Sequence, residues 1–336
     1  MRDLFSKLQA NRNWKKIATR SLYGSIAFLI VFVLMYSHLY GPTEKYAGQQ
    51  EFLVTPEMSI SALSSELKAQ GFIRSSWALR LALLEKSAGK GVRPGGYEIS
   101  KSMDTWSIAT ALVGMPHSMY ITFLPGARKE QIADKLASEL FWSEEQKQQF
   151  LQATRDSGSK FIEGVYYPDT YLIPSDQDPA KVAGRLRGRF TDVFSVYADE
   201  AKAKGMDWKE VLIMASLIER EASKDDRELV AGILWNRLTK GMLLQVDATL
   251  QYAKGGPGNW WPTPTSADKY IESPFNTYQH EGLPPHPISN PSLLSIEAAI
   301  NPEKTNCLYY LHDDSHGIHC SVNYAGQKKN VNKYLK

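Results

Sequence analysis

Residues 21–40, SLYGSIAFLIVFVLMYSHLY, contain no Lys, Arg, Asp or Glu. A helix of that length spans about 30 Å, the thickness of a bilayer's hydrocarbon core. Tyr36 and Tyr40 stand where aromatic rings partition to the membrane interface. The preceding residues 1–20 carry Arg2, Lys7, Arg12, Lys15, Lys16 and Arg20 against the single acid Asp3. The positive-inside rule keeps such a segment in the cytoplasm and places residues 41–336 on the far side of the membrane. A cleaved signal peptide is the competing reading. However, YSHLYGPTEKY offers no small-x-small cleavage site, and the apolar run exceeds a usual signal-peptide core. An uncleaved anchor is the expectation.

The exported part is long enough for a full core and more than one domain. The whole chain is +3, and once the six bases and one acid of residues 1–20 are set aside the remainder is −2. Such a balance gives no footprint for nucleic acid. The two cysteines, Cys307 and Cys320, flank the turn-like HDDSHG. In a hairpin they would face each other in an oxidising compartment, or serve equally as two small core residues.

Patterning predicts an α+β protein. QEFLVTP reads as a strand, ISALSSELKAQGF as a helix with Ile60, Leu63 and Leu67 on one stripe, SSWALRLALLEKSAG as a second helix and GGYEISK as a returning strand. DTWSIATALVG, MYITFLPG and RKEQIADKLASELF repeat a helix, strand, helix order. We place a small module at 50–140 and a second domain at 141–336. There a helix is expected from Pro179 to Lys204, a next one capped by Asp207, and another with Leu229, Ile233, Leu234 and Leu238 inward, closed by Gly241. Residues 245–292, rich in Gly, Pro, Asn, Thr and aromatics, read as a long loop, a length that usually marks function. LLSIEAAINP is expected as a helix, CLYYLHD and IHCSV as a hairpin and KKNVNKYLK as a last helix.

One residue breaks the apolar logic. In VLIMASLIEREASKDD, eight apolar or small residues run up to Glu219. On a helix Glu219 shares its face with Leu212, Ala215, Ser216, Ala222 and Ser223, mostly small side chains that leave a concavity. Apolar flanks would disfavour the charged carboxylate, which is how a general acid is prepared. The plainer reading pairs Glu219 with Arg220 or Lys224 at the water-facing helix end, and Glu221 competes for the role. The long loop supplies Gln245, Asp247, Thr249, Asn276, Thr277 and Tyr278 as hydrogen-bonding groups, with Trp260, Trp261 and Phe275 beside them. Polar groups for hydroxyls and rings for sugar faces suggest a carbohydrate cleft. The two tryptophans serve equally well as hydrophobic anchors of the loop.

MASLIEREA, GMLLQVDATLQY, SPFNTYQHEGLPPHPISNPSLLSIEAAINP and EGVYYPDTYLIP resemble, in order, the motifs of the YceG-like, or MltG-type, family of endolytic murein transglycosylases. The resemblance runs over residues 161–335 and more weakly over 50–140, where GGYEIS and GARKEQIADKLA echo a LysM-like module. It implies an inner-membrane protein whose periplasmic part cleaves the MurNAc-GlcNAc bond within peptidoglycan strands and leaves a 1,6-anhydroMurNAc end. It also implies that the catalytic acid is Glu219, that no cofactor or metal is needed, and that the partners are nascent glycan strands and peptidoglycan synthases, including penicillin-binding proteins. Ser216, Gln245, Asp247, Thr249, Asn276, Thr277 and Tyr278 are the expected substrate-binding residues. Two stretches depart from the family pattern. IHCSVNYAGQKKN carries His319 one position displaced, and FLPGAR stands where IPEG is usual.

One acid suffices for this chemistry, because the sugar's own 6-hydroxyl is the nucleophile. A lysozyme-like muramidase would need a second carboxylate about 5 to 10 Å away, for which Asp247 is the candidate, although bracing a loop suits it as well. Two other classes compete. His312, Asp313, His316, His319 and Cys320 have spacings compatible with Zn²⁺, as in a cell-wall amidase or peptidase, or with a plain solvated turn. A catalytically silent glycan-binding anchor is the last alternative. G-x-S-x-G and S-x-x-K signatures of serine hydrolases are not evident, so Ser216 is not read as a nucleophile.

Overall fold

The structure is a computed structural model that describes residues 2–87, 89, 91–156 and 163–335, with side chains omitted over 2–18 and 154–156. Its contacts divide the chain into two compact units, residues 1–120 and 121–336. The division falls ahead of the 140/141 boundary expected from the sequence. Physically, the helix at 129–140 packs against the next helix, at 144–156.

The first unit begins with α1 (Arg2–Tyr40), whose Thr19–Tyr40 part is long and apolar enough to cross a membrane. Its apolar side chains, Leu22, Phe28 and Leu34 among them, are exposed, as a lipid-facing surface requires. At its end Tyr40 stacks on Trp106, and the Trp106 indole donates to the Tyr36 hydroxyl at 2.9 Å. β1 (Gln49–Val54), α2 (Ile60–Ala69), α3 (Ser76–Ser87) and β2 (Gly95–Ser100) follow in the expected order, and β1 and β2 pair antiparallel from Gln49↔Ser100 to Val54↔Gly95. α4 (Thr105–Val113), N-capped by Asp104, completes the layer. Phe52, Val54, Leu63, Leu67, Leu79, Leu83, Tyr97 and Ile108 form its core. Ile60, expected on the inward stripe, is 41% exposed; it is the first residue of α2, before the helix turns its apolar face inward. β3 (Ser118–Thr122) starts by pairing with β2 through Ser118 and Met119.

In the second unit the end of β3 runs beside β4 (Thr170–Pro174): the amide of Phe123 donates to Asp169 O, and Thr122 and Thr170 share a hydrogen bond. Between them lie α5 (Lys129–Leu140) and α6 (Glu144–Asp156). α7 (Pro179–Ala203), capped by Asp178, leads to α8 (Trp208–Glu221), capped by Asp207. α8 is buried continuously from Val211 to Ile218. α9 (Arg227–Thr239) turns Val230, Ile233, Leu234 and Arg237 inward, while Leu229 and Leu238, expected there, are half-buried at its edges. The reason for the different face is Gly232. A Cβ there would lie 2.3 Å from the carbonyl oxygen of Glu303, so the chain passes directly over that spot.

The stretch expected as one long loop contains α10 (Asp247–Lys254) and a 3₁₀ turn, Ser266–Tyr270. α11 (Leu293–Ile300) packs against α8 and α9. The terminal hairpin is β5 (Tyr309–His312) with β6 (Ile318–Ser321), followed by α12 (Tyr324–Tyr334). Cys307 and Cys320 form a disulfide across the base of this hairpin.

Candidate active site

Glu219 stands in the last turn of α8, the end where the helix dipole disfavours an acid. What holds it is the opposite end of another helix. Its Oε2 accepts hydrogen bonds from the amide of Ser292 at 2.8 Å, the Ser292 hydroxyl at 2.5 Å and the Ser295 hydroxyl at 2.7 Å. Ser292 is the N-cap of α11, so the carboxylate faces the positive end of that dipole. The other oxygen, Oε1, has no hydrogen-bond partner among the described residues. The side chain is half-buried, and neither Arg220 nor Lys224 pairs with it among the described residues. Arg220 instead lies over the Trp261 ring, 4.0 Å from its centroid.

The small residues expected to open a concavity beside Glu219 do so, but the protein fills much of it. The amide of Ile288 donates to Ser216 Oγ at 3.0 Å, Ser216 Oγ donates to Ile213 O, and Ser289 Oγ donates to Ser216 O. Ala215 and Ser216 are fully buried. Small side chains on α8 thus let the 288–292 segment approach and deliver Ser292 to Glu219. A second strap crosses the same end of the helix. Gly126 has φ +77°, and a Cβ there would lie 3.7 Å from Glu219 Cγ and 3.3 Å from Arg220 Nη1.

Asn290 ties these straps together. Its side chain donates to Ala127 O and Glu163 Oε1 and accepts from the amide of Tyr166, while its backbone exchanges bonds with Gly126 and Ala127. Glu163 is fully buried, and its carboxylate also receives the amides of Lys129 and Gly164. Burial pushes its pKa up to about 8 against the pull of Lys129.

Glu221 lies on nearly the opposite side of α8 from Glu219, as two residues of helix dictate. It accepts from the Tyr310 hydroxyl at 2.9 Å and from the amide of Ala248 at 3.2 Å, which caps the first turn of α10. Burial raises its pKa, partly offset by those two bonds. Beside it the Tyr278 hydroxyl donates to Asp247 Oδ1 at 2.6 Å, and burial, then Asp247, raises the pKa of that phenol.

The expected substrate-binding residues therefore separate into two sets. Gln245 and Asp247 are exposed and Tyr278 is half-buried, so these three have reach. Gln245 also holds φ +52°, a costly conformation for a residue with a Cβ, fixed by its amide donating to Thr277 O. The other set, Ser216, Thr249, Asn276 and Thr277, is buried. Thr249 and Thr277 bond each other and Val246, and Asn276 donates to Lys269 O and Ile271 O. Their polar atoms are consumed in bracing the loop, since a buried polar group must find its partner inside. Among the described residues no hydrogen bond joins Glu219 to the 245–249 or 276–278 segments; these cluster with Glu221 instead.

Trp260 and Trp261 anchor the loop: their indoles donate to Asp134 Oδ2 and Gln131 Oε1. Phe275 packs at 4.8 Å on Tyr252 and 4.7 Å on His286. Four of the five residues considered for Zn²⁺ are occupied separately. Cys320 is in the disulfide, His312 pairs with Asp226, and His319 pairs with Asp313 and stacks on Tyr334. Ser315, His319 and the amide of Gly317 hold the Asp313 carboxyl well below the usual range.

Sequence reasoning missed Ser292, Ser295, Gly126 and Arg220. Ser292 carried a signal, because Ser after Asn-Pro and before an apolar helical run is an N-cap signature. That its hydroxyl would serve a glutamate 73 positions earlier had none.

The mixed α+β fold has counterparts among known proteins. The YceG-like family matches residues 52–333, and the chain belongs to it. It is similar to the endolytic murein transglycosylase of Bacillus subtilis (strain 168), 32% identical over 301 residues and covering 82% of each chain. It is also similar to the endolytic murein transglycosylase of Streptococcus pneumoniae (strain ATCC BAA-255 / R6), 28% identical over 280 residues, 73% of this chain and 51% of that protein. The chain thus spans about half the length of the pneumococcal relative. The crystal structure of a YceG-like protein from Listeria monocytogenes matches with a TM-score of 0.58 at 26% identity, over 84% of this chain and 99% of that one.

Proposed function

We propose that this protein is an endolytic peptidoglycan lytic transglycosylase with Glu219 as its single catalytic acid and base. The family match and the names of the relatives support the activity. One observation supports the residue: Oε2 of Glu219 is fixed by three donors while Oε1 is left without a partner among the described residues. A protonated Oε1 gives its proton to the glycosidic oxygen as the C1–O bond breaks. The donors on Oε2 steady the carboxylate so formed. The carboxylate then takes the proton of the muramic acid's 6-hydroxyl as that oxygen bonds to C1, closing the 1,6-anhydro ring. No water enters and no second carboxylate is required.

Gln245, Asp247 and Tyr278 are proposed to meet neighbouring sugars. The β1–α2–α3–β2 order with antiparallel strands supports reading the first unit as a LysM-like, glycan-binding module. The apolar helix Thr19–Tyr40 and the basic residues before it support a single-pass inner-membrane anchor with the N-terminus in the cytoplasm. Nascent strands and their synthases are the corresponding partners. Mass spectrometry of sacculi digested with the purified protein tests the reading. Anhydro ends are expected from the wild type and no cut strands from a folded Glu219→Gln variant. Reducing ends, or undiminished cleavage by Glu219→Gln, would refute it.

A further inference from the structure

Next to Glu219 lies a cavity of about 310 Å³, walled by Leu124 and Gly126 on one strap and by Gln131, Lys135, Arg220 and Trp261. No residue lining it is acidic. We infer that this cavity is a subsite for the carboxylate-bearing peptide stem on the substrate's muramic acid, with Arg220 as its anchor. The inference rests on the function proposed above.

Arg220 carries the case. Among the described residues it makes no hydrogen bond and no ion pair, and its Nε is buried without a partner. Its two acidic neighbours in the chain attract the guanidinium without bonding it and accept their hydrogen bonds elsewhere, Glu219 from Ser292 and Ser295, Glu221 from Tyr310 and the amide of Ala248. A partly desolvated guanidinium without hydrogen-bond acceptors is costly unless something arrives to supply them. The group is also held in place. It lies 4.0 Å over Trp261, whose indole is fixed by Gln131 and whose ring is covered by Arg128 at 4.3 Å. A planar, pre-positioned fork of donors matches a carboxylate and loses little freedom on binding it.

The rest of the lining agrees. Lys135 is exposed and forms no ion pair among the described residues. Gln131 spends its oxygen on Trp261 and on the amide of Arg128, which leaves its NH₂ as a further donor. Two cations and an amide NH₂ select an anion. On a peptidoglycan strand the sugar chain is neutral, and carboxylates reside on the peptides attached to the muramic acid lactyl groups. Gly126 lies against both Arg220 and Glu219, so the stem it reads is that of the sugar at the cleaved bond.

The test uses the full-length protein on glycan strands with peptide stems and on the same strands with the stem carboxylates converted to carboxamides. Wild type is expected to favour the free-acid strands in kcat/KM by about tenfold, the worth of one charge-assisted contact. Arg220→Met and the exposed-site variant Lys135→Glu are expected to move that ratio toward unity through KM. An unchanged ratio in both variants overturns the subsite. If cleavage yields reducing ends, the proposed function fails while the ratio still decides the subsite. If no strand is cut, calorimetry with muramoyl pentapeptide and its carboxyl-amidated form decides it. Saturable binding of the free acid alone, lost in Arg220→Met, supports the subsite, and equal binding of both forms overturns it.

Discussion

At the residue scale, the site is a matter of which oxygen of Glu219 is held. Ser292 serves twice, since its hydroxyl accepts from the amide of Ser295 as the cap of α11 and donates to Glu219. Ser295 serves Glu219 with its hydroxyl alone. The two serines are therefore separable. Ser295→Ala is expected to lower kcat roughly ten- to hundredfold, as loss of a hydrogen bond to a charged group would, while the melting temperature scarcely moves. Ser292→Ala is expected to lower kcat similarly and also to cost about 1 kcal/mol in denaturant unfolding through the lost cap. Equal stability of the two variants would contradict this division of labour. Glu219 was legible in the sequence because a lone acid at the end of an apolar helical run is conspicuous. Arg220 was not, because a lysine or arginine at a helix end ordinarily faces water.

At the element scale, α8 and α11 behaved as their periodicity required, whereas α10 did not declare itself. Its eight residues begin in a stretch of polar and turn-forming residues, and its N-terminus is capped by Glu221 from a distant element. Short helices held by tertiary contacts leave little local signal. The straps beside Glu219 are pinned at the start of α5 by Glu163, which gives a pH dependence. Its folded pKa of about 8 exceeds the ordinary 4.5, so the folded state holds a proton that the unfolded state releases between those values. Its contribution to stability is complete below about pH 4.5 and is lost as pH rises to about 8. Lys129 opposes the shift and Glu130 adds to it. Unfolding midpoints of the wild type are expected to fall across that window relative to those of Glu163→Gln. Parallel curves for the two proteins would show that Glu163 is ionised throughout.

At the scale of the whole molecule, two features stand out, a disulfide and an exposed apolar helix. The Cys307–Cys320 disulfide closes a loop of sequence separation 13, and cross-links of that span stabilise by roughly 3 kcal/mol. Replacing both cysteines with serine is expected to lower the denaturant midpoint accordingly and to loosen the hairpin that brings Tyr310 to Glu221. An unchanged midpoint would mean the bond is absent in cells. Among the described residues the apolar surface of Thr19–Tyr40 is exposed except at its end, where Trp106 meets Tyr36 and Tyr40. Removing residues 1–40 is expected to abolish carbonate-resistant membrane association, which fractionation measures directly. Persistence in the membrane fraction would point to a second attachment.

The chain alone determined whatever depends on local periodicity and composition. That includes the apolar N-terminal helix, the strand, helix, helix, strand order of the first unit, the terminal hairpin, and the odd acid at position 219. Tertiary structure decided which polar groups remain available. It consumed Ser216, Thr249, Asn276 and Thr277 in bracing, left Gln245 and Asp247 exposed and Tyr278 half-buried, brought Ser292 and Ser295 to Glu219's end of α8, and laid Arg220 over Trp261. The reason is that a side chain's role follows from its partners and its exposure. Those are set by segments far apart in the chain, which no local pattern records.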